Sequence, residues 1–115
     1  MRWLCVFPLL TILFISACST TPEDELDTLP AEELYRRAKA ALNSGDYETA
    51  INTFEKLEVR FPFGKYAQQA QLEIAYAYYK FDEPDSSIAT ADRFIRNNPG
   101  NPHLDYAYYL KGLVN

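Results

Sequence analysis

Two proline-containing breaks, Phe61-Pro62 and Asn98-Pro99, lie 37 positions apart, and helical apolar spacing fills the chain on both sides of them. Before the first break, Leu34, Ala38 and Leu42 recur at the interval of one helix face. A repeated unit of this length cannot bury its own apolar face and has to stack on the next unit. The pattern therefore predicts an all-α protein built from stacked helix pairs, an α-solenoid.

Helix start signals occur at five places after residue 29. Proline suits a first helical position, acidic and amide side chains cap helix starts, and glycine or proline follows a helix end. We expect helices to begin near Pro30, Asp46, Tyr66, Pro84 and Pro102. In the last of these, Asn101 is the predicted cap.

The first helix pair resembles a tetratricopeptide repeat at its turn and in its second helix. Gly45-Asp46-Tyr47, Ala50, Phe54 and Pro62 match the Gly, Tyr, Ala, Phe and Pro of that pattern. The second pair departs from the pattern at two positions, with Asp82 in place of Gly and Ser87 in place of a small Ala. The resemblance implies tetratricopeptide-like pairs throughout.

The predicted units divide the chain after its leader. Repeat 1 is expected at 30–62, repeat 2 at 63–99, and the first helix of a truncated repeat 3 at 100–115. Because an incomplete unit lacks its partner helix, we expect an uncovered apolar face at this end. Its predicted members are Tyr108, Leu110 and Val114.

Residues 1–17 read as an export signal. Arg2 precedes an apolar run that is shorter than the roughly 20 residues of a transmembrane helix. The run ends in Ile15-Ser16-Ala17-Cys18, which resembles the lipobox of bacterial lipoproteins. That resemblance implies cleavage before Cys18 and its modification by S-diacylglycerol and N-palmitoyl groups. Ser19, where an inner-membrane lipoprotein would have Asp, implies the outer membrane.

An acidic linker follows at 18–29. It contains Glu23, Asp24, Glu25 and Asp27, and Leu26 is the one apolar residue between 19 and 28. Because this segment is so polar, it has little apolar surface to bury. We therefore expect a solvated tether between the lipid and the first helix.

Composition argues against several classes of function. The chain has 11 basic and 16 acidic residues, whereas nucleic-acid binders depend on basic residues that neutralise phosphates. The single histidine, His103, lies at a predicted helix start without a cysteine partner. The sequence has neither a Gly-rich phosphate loop nor a metal-ligand cluster. We therefore expect no nucleic-acid partner, no catalytic residues, no metal and no cofactor.

A closer resemblance is carried by residues outside the generic repeat positions. They are Arg60-Phe61-Pro62-Phe63-Gly64, Tyr66, Gln68-Gln69, Gln71-Leu72, Tyr76-Ala77-Tyr78-Tyr79-Lys80, Asp92-Arg93-Phe94-Ile95-Arg96, Asn98-Pro99, Asp105-Tyr106, Tyr109 and Gly112-Leu113. These segments resemble the N-terminal half of the BamD family, the tetratricopeptide lipoproteins of the outer-membrane β-barrel assembly machinery. The resemblance implies a non-enzymatic scaffold, lipid-anchored on the periplasmic face of the outer membrane. The implied partners are unfolded outer-membrane proteins, the barrel-forming central subunit and accessory lipoproteins.

The resemblance to tetratricopeptide arrays also places a peptide groove on the first helix of each pair. The matching residues are Tyr35, Lys39, Tyr66, Gln69, Tyr76, Tyr79, Lys80, Tyr106 and Tyr109. Tyrosine combines apolar area with a polar tip, which suits reversible binding of aromatic peptides. Most of the Lys, Asn and Arg cluster with which related arrays hold a terminal carboxylate is missing, so we expect recognition by shape and aromatic contacts.

Some of the tyrosines are expected in the core instead, because an aromatic stripe at helical spacing often packs between helices. Tyr47 and Tyr78 are the predicted core residues. Gly64 is predicted to allow a positive-φ turn that exposes Tyr66.

Two other functions are compatible with a helical periplasmic array. One is a tetratricopeptide adaptor for cell-wall synthesis, and the other is an accessory domain of a peptidoglycan-cleaving enzyme. Sequence beyond Asn115 would separate them, since further repeats favour assembly and a catalytic domain favours the enzyme.

Overall fold

The computed structural model describes residues 21–115, and each regular element in that range is an α-helix. The helices are α1 Pro22–Leu26, α2 Ala31–Asn43, α3 Tyr47–Arg60, α4 Lys65–Lys80, α5 Pro84–Asn97 and α6 Leu104–Val114. The all-α prediction is confirmed. The predicted signal peptide and the predicted lipidation site Cys18 lie outside the described residues.

Local chemistry explains the boundaries of these helices. Asp46 caps α3, since its Oδ1 accepts a hydrogen bond from the Thr49 amide at 3.2 Å. Gly45 and Gly64 adopt φ values of 84° and 110°, which L side chains rarely tolerate. Asp82, which stands where the repeat pattern has Gly, also adopts a positive φ, of 60°. The left-handed backbone after a helix end is therefore kept at this position without a glycine.

The last helix begins later than the sequence indicates. Helix α6 starts at Leu104 rather than at Pro102. The Oδ1 of Asn101 accepts the His103 amide at 2.8 Å, so Asn101 caps a tight turn instead of the helix itself. The prediction of the start was wrong because proline and asparagine suit both structures.

From α2 onward, each helix packs against the next, and α2 also contacts α4, as α4 contacts α6. The first helices of the pairs therefore lie side by side. Small residues permit this close approach, since Ala38 and Ala75 are fully buried. Ser87 fits the same kind of position, with its buried hydroxyl donating to the Ala75 carbonyl at 2.8 Å.

The described core is divided into three clusters along the stack. The largest includes the fully buried Leu34, Phe54 and Leu57 together with Ile74 from the second pair. Leu110 was expected on an uncovered face, and this prediction was wrong. It is fully buried against Ala75 and Ala91, because its side of α6 faces α4 and α5.

The predicted solvated linker instead docks on the first helix pair. Part of it forms α1, and Leu26 and Leu29 pack against the main core cluster. The guanidinium of Arg60 donates to the carbonyl oxygens of Leu26 and Leu29 at 2.9 and 2.8 Å. We call residues 22–29 the docked linker. The prediction missed it because the partners that hold it lie in α2 and α3.

Two ion pairs add to this attachment. The carboxylate of Glu25 lies 2.8 Å from Arg37, and that of Asp27 lies 2.7 Å from Lys56. All four groups are at least partly exposed to solvent, so each pair contributes little by itself. Together with the half-buried Leu26 and Leu29 they fix the direction in which the chain enters α2.

Candidate peptide-binding face

Helices α2, α4 and α6 form one surface of the stack, which we call the first-helix face. Its predicted site residues differ in exposure. Tyr35, Lys39, Tyr66 and Tyr76 are half-buried, whereas Gln69, Tyr79, Lys80, Tyr106 and Tyr109 are exposed. The structure brings most of them into two aromatic groups, one at α2 and one between α4 and α6.

The first group lines a groove of about 420 Å³ along α2. Tyr35 and Tyr66 face each other with ring centroids 5.6 Å apart, and Tyr35 meets the buried ring of Phe54 edge-on at 5.5 Å. Lys39 lines the same groove. The rings are held by contacts on two helices, so the groove is formed before any ligand arrives.

Tyr66 is less exposed than predicted. Gly64 does make the positive-φ turn, but that turn directs Tyr66 towards Tyr35 and the core cluster. The ammonium of Lys65 covers the other part of the ring, 5.1 Å from its centroid. The expectation of an exposed ring was therefore wrong.

The second group consists of two tyrosine pairs. Tyr76 and Tyr79 on α4 have centroids 6.4 Å apart, and Tyr106 and Tyr109 on α6 are stacked at 6.2 Å. Tyr79, Tyr106 and Tyr109 are 36%, 38% and 58% exposed. Partly exposed tyrosine rings of this kind offer a ligand apolar area together with a polar hydroxyl.

Glu73 on α4 binds two members of the first group and was not among the predicted site residues. Its Oε1 accepts hydrogen bonds from the Tyr35 hydroxyl at 3.1 Å and from the Lys39 ammonium at 2.7 Å. Its spacing from Gln69 and Tyr76 puts it on the same face of α4. That spacing was the available signal, but the partners on α2 could not be inferred from it.

Burial and the Glu73 charge act on the tyrosines around it. Burial raises the pKa of Tyr35, and the neighbouring Glu73 carboxylate raises it further. The pKa of Tyr106 is raised by burial and then by the charge of Glu73. Both phenols therefore stay protonated at neutral pH, and the Tyr35 hydroxyl donates its proton to the hydrogen bond with Glu73.

Gln69 and Lys80 lie apart from these groups. Gln69 lines a separate pocket of about 200 Å³, whose floor is formed by Leu72 and Phe94. Lys80 is exposed in the last turn of α4. The structure thus distributes the predicted residues over one face without gathering all of them at one point.

The two tyrosines predicted in the core are half-buried and pack against the main core cluster. Tyr47 lies 6.3 Å from the Phe81 ring, and the hydroxyl of Tyr78 donates to Glu55 at 3.4 Å. Their rings thus contribute to packing while part of each side chain stays exposed, so both lie at the border between core and surface.

Residues 21–115 contain no group of three or more His, Cys, Asp and Glu side chains placed to hold a metal ion. His103 is exposed at the start of α6. In the same range, each helix is too short or too polar to cross a membrane. The side chains on the first-helix face offer aromatic and hydrogen-bonding contacts to a ligand.

Comparison with known proteins agrees with this architecture. Residues 27–115 match the model of the YfiO family, which is described as outer membrane lipoprotein. The chain is also similar to proteins named outer membrane protein assembly factor BamD. The relative from Neisseria meningitidis serogroup B is 47% identical over 107 residues, which cover 89% of this chain and 40% of the relative.

Two further relatives carry the same name. The protein of Vibrio cholerae serotype O1 is 40% identical over 114 residues, covering 99% of this chain and 47% of the relative. That of Caulobacter vibrioides is 34% identical over 84 residues, covering 73% and 28%. The chain spans less than half the length of these relatives. Since the family match extends over most of the chain, the chain belongs to the YfiO/BamD family of outer membrane lipoproteins.

Proposed function

We propose that the chain acts as a scaffold of the β-barrel assembly machinery, binding unfolded outer-membrane proteins and promoting their assembly and insertion into the outer membrane. The observation that carries the proposal is the row of tyrosines on the first-helix face, in a family whose members are named assembly factors. The proposed function is binding without catalysis.

The geometry of the face suits aromatic peptide segments. Tyr35 and Tyr66 contribute two aromatic rings to the lining of the groove along α2, and the stacked pair of Tyr106 and Tyr109 offers a second surface. Each ring can meet an incoming aromatic side chain edge-on or offset, contributing about 0.5–1.5 kcal/mol beyond the area buried. Because the rings lie on three helices, α2, α4 and α6, the face favours binding of an extended segment with several aromatic residues.

The remaining parts of the proposal concern position and partners. We infer lipidation of Cys18 by S-diacylglycerol and N-palmitoyl groups, which would hold the chain on the periplasmic face of the outer membrane. The diacylglycerol and palmitoyl groups together give firm anchoring, whereas a single acyl chain binds a membrane only marginally. The proposed partner subunits are the barrel-forming central subunit and the accessory lipoproteins. The family description as outer membrane lipoprotein supports this arrangement.

Photocrosslinking tests the client-binding part. A photoreactive phenylalanine analogue would replace Tyr109 in one variant and Tyr108 in another, since both side chains are 58% exposed on α6. Tyr109 stacks on Tyr106 in the first-helix face, whereas Tyr108 does not share that pair. With a peptide of alternating aromatic residues as probe, we expect crosslinks mainly from position 109. Equal or stronger crosslinking from position 108 would refute the assignment of the face.

A further inference from the structure

The groove along α2 contains two basic side chains, and carboxylates of the same chain engage both. Lys39 pairs with Glu73 at 2.7 Å. Arg36 donates from Nε to Glu33 at 2.8 Å. Glu32 adds a further acidic side chain to the groove lining. The cations that a negatively charged ligand would need are therefore already neutralised within the protein.

The Lys39–Glu73 pair is the more constrained of the two. The side chain of Glu73 is 19% exposed and that of Lys39 is 41% exposed. The Tyr35 hydroxyl, on α2 like Lys39, donates to the same Glu73 oxygen at 3.1 Å. Two donors from α2 thus hold a carboxylate of α4, so Glu73 is positioned even without a ligand.

We propose that Glu73 is an intramolecular ligand for Lys39 that makes the first-helix face select against peptides presenting a free terminal carboxylate in this groove. A terminal carboxylate could bind Lys39 only by displacing Glu73 or by lying next to its negative charge. Either event costs binding free energy, because like charges a few ångström apart repel and a displaced carboxylate loses two hydrogen bonds. An internal aromatic segment meets no such penalty.

This inference deepens the proposed function and rests on it, because it assigns the specificity of the same peptide-binding face. It predicts which part of a client is bound there: aromatic side chains and main-chain amides that lie away from the chain end. Glu73 acts through Lys39 and is a positioning residue, so affinity alone does not test it. The quantity that tests the inference is the ratio of the affinities for one peptide with a free C-terminal carboxylate and with a C-terminal amide.

The test uses a fluorescent peptide of alternating aromatic residues in two forms, one with a free C-terminal carboxylate and one with a C-terminal amide. The full-length lipoprotein in detergent would be titrated with each, and the ratio of the two dissociation constants measured. Wild-type protein should bind the amide as tightly as the acid or more tightly. Glu73→Gln keeps an acceptor for Tyr35 but frees Lys39, and should shift the ratio towards the acid by about fivefold, the effect of one partly exposed ion pair.

Two variants complete the experiment. Adding Lys39→Met to Glu73→Gln should cancel the shift, since the freed ammonium is then absent. Glu55→Gln is the matched control, because Glu55 also accepts a tyrosine hydroxyl, that of Tyr78, and its ratio should equal that of wild type. Circular dichroism would establish that each variant is folded.

The outcomes separate the two proposals. Binding of both peptides with the same ratio in wild type and Glu73→Gln would overturn the role of Glu73 and leave the client-binding function intact. Absence of binding by either peptide to all folded variants would overturn both. A shift in Glu73→Gln that survives the addition of Lys39→Met would also refute the inference, because the carboxylate would then be held elsewhere.

Discussion

At the scale of single residues, Phe54 connects the core to the candidate site. Its ring is fully buried and supports Tyr35 edge-on at 5.5 Å. Tyr35 in turn presents its hydroxyl to Glu73. The fully buried Phe54 ring therefore helps to position Tyr35 and, through it, Glu73 on the first-helix face.

We expect Phe54→Ala to lower the free energy of unfolding by about 3–5 kcal/mol, because it leaves a cavity in the main cluster. Phe63→Ala is the matched control, since the Phe63 ring is 91% exposed. That variant should stay within about 0.5 kcal/mol of wild type. Urea denaturation followed by circular dichroism would measure both, and similar losses in the two variants would contradict the core assignment.

Single residues also mark the limit of sequence-based prediction. The buried positions Leu34, Ala38 and Phe54 follow from helical spacing alone, because burial repeats with the period of the helix. The role of Glu73 does not follow, since it depends on Tyr35 and Lys39 in another helix. Periodicity identifies the face on which a side chain lies, and partners across helices require the packing.

At the scale of elements, the docked linker is the feature least visible in the sequence. Its acidic composition is that of a solvated segment, yet Arg60 binds the carbonyls of Leu26 and Leu29 from 31 to 34 positions away. The five main helices were predictable from local caps and breaks, which act within a few residues. Docking of the linker depends on partners that are distant in sequence, so its composition wrongly predicted a solvated segment.

We expect Arg60→Met to release the docked linker while leaving the helices folded. The variant removes hydrogen bonds from a charged donor, each of which contributes about 1.5–3 kcal/mol. Amide hydrogen exchange at Thr28 and Leu29 should then accelerate by at least about tenfold. Exchange in α5 serves as the internal reference, and unchanged protection at both linker amides would disprove the assigned role of Arg60.

Acidification should act on the same segment in wild-type protein. The pKa of Glu25 is lowered from 4.5 by its hydrogen bond and ion pair with Arg37, and that of Asp27 from 3.8 by those with Lys56. Acids with a lowered pKa stabilise the folded state above their unfolded values and lose this effect as the pH falls through the lowered pKa. Protection of the linker amides should therefore be complete above about pH 5 and decrease below about pH 4. Added salt should weaken it at neutral pH.

At the scale of the whole molecule, the stack continues one packing rule through successive pairs. Ala38 and Ala75 occupy equivalent positions and are fully buried. The next equivalent position is Gly112, where an added Cβ would meet no atom within 4 Å among the described residues. Tyr108 and Leu113 are likewise exposed on α6. The solenoid architecture was predictable from the 37-position spacing of the repeats. The burial of Leu110 was not, because it depends on which side of α6 faces α4.

The proposed membrane attachment of the whole molecule rests on Cys18. We expect Cys18→Ser to abolish labelling by radioactive palmitate and to move the protein out of the outer-membrane fraction. Cys5→Ser is the matched control, because Cys5 lies in the predicted leader and should leave labelling unchanged. Retention of label and membrane location in the Cys18 variant would show that the anchor is elsewhere.

The docked linker also sets the volume that the tyrosines can search. With Cys18 lipidated as proposed, an undocked tether from Cys18 to Leu29 spans at most about 38 Å, whereas a tether from Cys18 to Thr21 spans at most about 10 Å. Because effective concentration falls roughly as the −3/2 power of tether length, a fourfold shorter tether raises the concentration of the array towards partners in the same membrane by about eightfold. Release of Arg60 would thus weaken encounters with membrane-embedded partners without altering a single contact residue.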